Sequence, residues 1–131
     1  MGKSNKNIPR NPMTNTKSMS REGMKIMRDI AHGKFNFYTE GHIFRNRDFT
    51  CATIMEINKR IEDISIHLWG LNTLISNGAT DPKIINLMNR DAKSLEAYRL
   101  MYESLYSIYS TGDTGFLLAL INKLPQYKYN I

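Results

Sequence analysis

A single cysteine, Cys51, leaves this chain no internal disulfide to form, and so sparing a use of thiols fits a reducing compartment. Its expected place is that of a small apolar side chain inside the domain. Long hydrophobic runs are missing too. The longest is FLLALI at 116–121, far short of the roughly 20 residues that span a bilayer. No apolar stretch follows a charged start, which argues against a secretory signal, and Lys6 stands where a myristoylation signal needs Ser or Thr. The expectation is a protein of the cytoplasm or the interior of a virus particle, not exported through a signal peptide and with no membrane partner.

Catalytic and metal-binding patterns are equally scarce. His32, His42 and His67 are scattered and Cys51 stands alone, so no zinc spacing exists. No G-x-S-x-G elbow occurs, and the glycine-bearing stretch 111–115 (TGDTG) lacks the lysine of a phosphate loop. Glu62 and Asp63 are adjacent, but helical neighbours point about 100° apart and cannot share a site. No catalytic residue, metal or cofactor is expected, and the chain reads as a non-enzyme.

Acidic residues are absent from the first 21 positions, which carry Lys3, Lys6, Arg10, Lys17 and Arg21. The remaining 13 Lys and Arg face 12 Asp and Glu, so nearly all the net charge of +6 gathers at one end. Residues 1–17 are rich in Asn, Ser, Thr, Lys and Pro and poor in large apolar groups. Such composition cannot offset the entropy of ordering, so 1–19 reads as a disordered or extended basic arm. Ser18 or Ser20 then offers an N-cap for a short helix at 20–32, closed by Gly33. Arg21, Lys25 and Arg28 fall on one face of it and extend the arm's charge, with Arg45 and Arg47 as further contributors.

Residues 34–47 (KFNFYTEGHIFRNR) read as an aromatic loop tucked against helices or a small β-hairpin. The clearest pattern follows. Ile54, Ile57, Ile61, Ile64, Leu68, Leu71 and Ile75 alternate spacings of 3 and 4, an a/d heptad seam within a helix over 49–77 capped by Asp48 or Thr50. Asn77-Gly78 ends it, and Asp81-Pro82 opens a second helix over 82–110. Met88, Leu95, Tyr98, Tyr102, Leu105 and Tyr109 give that helix a matching seam. A short third helix at 115–124 stops at Pro125. The fold class is therefore all-α: a long antiparallel helical hairpin with short flanking helices and a basic arm, the arm at 1–19 and the helical domain at 20–131.

Apolar groups on more than one face of the hairpin, Met55, Ile66, Trp69 and Leu74 among them, call for a third layer or a second copy. Three functional classes follow. The first is a non-enzymatic assembly protein of a viral (phage-like) or other multi-subunit particle, whose hairpin joins subunits and whose arm meets neighbours or nucleic acid. The second is a DNA- or RNA-binding or packaging module using Lys3, Lys6, Arg10, Lys17, Arg21, Lys25 and Arg28 on phosphates. The third is an inhibitor or adaptor that binds a protein through the stripe Tyr98, Tyr102, Tyr106 and Tyr109.

Overall fold

A computed structural model describes residues 12–131 and shows an all-α architecture, with no strand among the described residues. Among these residues five α-helices follow one another: α1 (Pro12–Ala31), the short α2 (Phe37–Glu40), α3 (Arg47–Ser76), α4 (Pro82–Thr111) and α5 (Leu117–Lys123). Three 3-10 segments, Gly41–Arg45, Thr114–Phe116 and Leu124–Asn130, join or extend them.

The hairpin is the frame. Helices α3 and α4 are each 30 residues long, about 45 Å, and pack along their length. Local chemistry places their ends. Asn46, rather than Asp48 or Thr50, caps α3 by accepting the Phe49 N–H at 3.0 Å. Thr50 instead points inward and donates to the Phe44 carbonyl at 2.7 Å. Gly78 adopts a φ of +97° that few other residues tolerate, and Ala79 N–H reaches back to the Leu74 carbonyl at 3.0 Å, closing α3. Asp81 accepts the Lys83 N–H at 2.9 Å with Pro82 in the first turn, as expected for the start of α4.

Helix α1 begins at Pro12, not near residue 20. The part of the expected arm at 12–19 is therefore helical, and Ser20 does not cap it but donates to the Lys17 carbonyl within it. Proline is well suited to open a helix, where its missing N–H costs nothing. Tertiary packing does the rest: Met24, Ile26, Met27, Ile30 and Ala31 are buried, and Met19 packs on the same core. Residues 34–47 form neither a β-hairpin nor a plain loop. Asn36 accepts the N–H groups of Tyr38 and Thr39 and winds α2, after which Phe44 is buried edge-on against Phe49, ring centroids 5.4 Å apart.

The core lies where α1 and α5 cross the lower half of the hairpin. Leu117, Leu120 and Leu124 enter it from the C-terminal segments, Ile57 from α3, and Ala97, Met101, Leu105 and Ile108 from α4. The tail beyond Pro125 docks instead of trailing away. The Ser94 hydroxyl donates to the Asn130 carbonyl, and the Tyr127 hydroxyl donates to Glu96 at 3.0 Å.

Candidate interaction surfaces

Three cross-links set the levels of the elements. The His67 ring pairs with the Asp91 carboxylate, and Arg60 reaches the Tyr98 hydroxyl, which fixes the register of α3 against α4. Helix α1 lies on α3 with Gly23 against Thr53. It runs antiparallel, since Ile26 and Asp29 near its end line the same hollow as Asn46 at the start of α3. At about 1.5 Å per residue, Pro12 then stands roughly level with residue 64 of α3. The docked tail reaches the same height at Ser94.

Above that height no other described element packs on the hairpin. Between residues 65 and 93 only Leu71 and Asp91 are buried. The seam residues Leu68, Ile75 and Met88 are half-covered there, because a two-helix ribbon shields only one line of each helix. Asp91 is a carboxylate kept out of water, and the His67 ring is its partner.

The lower half is covered on one side only. At about 100° per residue, the buried positions of α3 (Thr53, Ile57, Leu71) and of α4 (Ala97, Met101, Ser104, Ile108) point into the seam and toward α1 and α5. The opposite side of α3 carries Met55, Lys59, Glu62, Ile66, Trp69 and Thr73, spaced 4, 3, 4, 3 and 4. Of these Trp69 is 71% exposed, Ile66 67% and Met55 61%. This second stripe repeats with the heptad period of the seam. The polar residues interleaved in it hide it from a search for hydrophobic periodicity alone.

The expected tyrosine stripe divides between core and surface. Tyr98 is buried, receives the Arg60 N–H at 3.3 Å and belongs to the core, so it is not available to a partner. Arg60 is held more firmly protonated than usual: burial opposes this, but the hydrogen bonds to Tyr98 and Glu56 outweigh it. Tyr109 is half-buried under Arg47, whose guanidinium lies 4.0 Å from the ring centroid and donates to the Tyr109 carbonyl at 2.8 Å. Arg47 thus clamps the base of the hairpin. Tyr102 and Tyr106 stack in parallel with centroids 6.0 Å apart, and Tyr106 is 54% exposed.

Lys17, Arg21, Lys25 and Arg28 are all exposed on α1, within a sector of about 80°. Lys25 pairs with Asp29 at 3.0 Å, and that hydrogen bond raises its pKa. Lys17, Arg21 and Arg28 form no ion pair among the described residues. Lys3, Lys6 and Arg10 lie outside the described residues.

No group of three His, Cys, Asp or Glu residues could hold a metal ion among the described residues. Cys51 is half-buried on α3 rather than sealed in the core. A hollow of about 460 Å³ beside α1 contains Glu22, Lys25, Asp29, Glu40 and His42. Two of its carboxylates are already engaged, Asp29 by Lys25 and Glu40 by the Asn36 N–H. No described helix is long and apolar enough to cross a membrane. No known protein family, curated protein or solved structure matches this chain.

Proposed function

We propose that the protein is a non-enzymatic helical assembly subunit, part of a viral or other multi-subunit particle, that joins its neighbours through the hairpin. The observation that carries this reading is the uncovered side of α3, where Trp69 and Ile66 stand in solvent on the most regular element of the fold. A large exposed aromatic on a rigid helix is characteristic of a contact surface, because it adds area with little conformational entropy to lose. Sedimentation velocity over a concentration series tests it. Mass should rise with concentration, and Trp69→Lys should hold the chain at the monomer mass. A wild-type chain that stays monomeric throughout overturns the proposal.

A second reading is favoured by the row of Lys17, Arg21 and Arg28, exposed on one side of α1 and without acidic partners among the described residues. Such a row can lie along the phosphates of DNA or RNA without reading sequence, with an affinity that falls steeply as salt rises. Gel shifts at low and moderate salt, comparing wild type with Arg21→Glu/Arg28→Glu, decide it. A shift lost in the variant supports phosphate contact. No shift in wild type at low salt removes it.

A further inference from the structure

Four consecutive positions of the second heptad stripe of α3 match themselves when reversed: Met55 and Ile66 flank Lys59 and Glu62, with Trp69 and Thr73 continuing the stripe beyond them. Two copies of α3 laid antiparallel about a point between Arg60 and Ile61 set Met55 of one against Ile66 of the other and Lys59 against Glu62. Each contact occurs twice, as a two-fold interface requires. We propose that this stripe is the docking surface for a second copy of the chain, packed antiparallel through α3. The proposal rests on the assembly reading and names its partner and register.

Charge selects this arrangement over the alternatives. A parallel pair in register would put Lys59 on Lys59 and Glu62 on Glu62, which repels. An antiparallel pair centred between Ile66 and Trp69 would join those two residues but leave Lys59 facing Ser76 and Glu62 facing Thr73. Of these three arrangements only the first pairs Met55 with Ile66 and Lys59 with Glu62 at once. The charges are also free to take part. Glu62 is exposed and has no ion pair among the described residues, while Lys59 holds Asp63 only loosely, at 3.7 Å with both side chains exposed.

Trp69, Ile66 and Met55 are each more than 60% exposed and supply the apolar part of such a contact. A standard interface buries roughly 800 Å² per partner, about 65% of it apolar between identical copies. A contact centred on three apolar side chains is small beside that, which corresponds to a reversible dimer rather than an obligate one. Gly70 beside the stripe points the same way. A Cβ there would meet none of the described residues within 4 Å, so a residue that weakens a helix sits here without a packing reason among them. Trp69 would land on the turn carrying Cys51 of the second copy.

The test is a charge-reversal cycle read by sedimentation velocity up to about 200 μM, using wild type, Lys59→Glu, Glu62→Lys and the double variant. Circular dichroism checks that each stays helical, as expected for exposed sites. Each single reversal should weaken the dimer at least tenfold, and the double variant should recover to within about threefold of wild type. If wild type associates but single reversals leave the dissociation constant unchanged, or the double variant is weaker than either single, this register is wrong while the assembly reading survives. If wild type is monomeric over the whole range, both fall.

Discussion

Gly23 of α1 lies so near Thr53 of α3 that a Cβ built on it would sit 2.0 Å from the threonine Oγ1. The two helices touch backbone to side chain at this point, and the Thr53 hydroxyl is turned aside to donate to the Phe49 carbonyl at 2.9 Å. Gly23→Ala must push α1 off α3 or displace Thr53. The gain in helix propensity, about 1 kcal/mol, is smaller than the overpacking. A net loss of about 1–3 kcal/mol is expected in urea denaturation. Thr53→Ala should recover part of it in the double variant, and a Gly23→Ala protein as stable as wild type would show that α1 does not pack this closely.

The His67–Asp91 pair is the sole polar tie in the projecting half of the hairpin among the described residues. Removing the ring by His67→Ala leaves a buried carboxylate without its partner, at a cost of about 1–3 kcal/mol. Replacing both by leucine should cost less than the single change, since no unpartnered charge remains. Thermal denaturation of the three variants checks the order.

Tyr127 predicts an alkaline weakening. Its hydroxyl donates to Glu96, and that bond raises the phenol's pKa above its usual value of about 10. The folded state thus holds this proton more tightly than the unfolded chain. Its contribution is complete below the unfolded pKa and is lost as pH rises through the higher folded value. Wild type should lose more stability than Tyr127→Phe between pH values on either side of about 10. Parallel curves would mean that the docked tail does not depend on this bond.

Trp69 is the chain's one tryptophan, so fluorescence excited at wavelengths that its seven tyrosines do not absorb reports on the proposed interface. At high dilution its emission should be red-shifted and open to iodide quenching, as its exposure requires. Raising the concentration should shift emission to the blue and reduce quenching. Spectra independent of concentration would place any association elsewhere.

Much of the fold was legible because its signals are local. The α3 seam, Gly78 at the turn and Asp81-Pro82 at the start of α4 each follow from side-chain spacing or from what one residue's backbone tolerates. The start of α1 was not. Residues 12–19 have the composition of a tail, and their helix continues from the docked part of α1, where Met19, Met24 and Met27 pack on the core. The region 34–47 misled for a related reason: alternating Phe35 and Phe37 resemble a strand, whereas Asn36 caps a helical turn and Phe44 is drawn into the core.

The division is sharper for the surfaces. The sequence by itself determined that the chain is an all-α hairpin with its positive charge gathered at one end, because periodicity and charge are properties of neighbours along the chain. Only the tertiary structure decided which apolar stripe is covered. Packing of α1 and α5 on one side turned Tyr98 into core and Arg47 into a clamp, and it left Met55, Ile66 and Trp69 facing water. Burial depends on which elements meet in space. No spacing along α3 distinguishes a stripe that faces its own chain from one that does not.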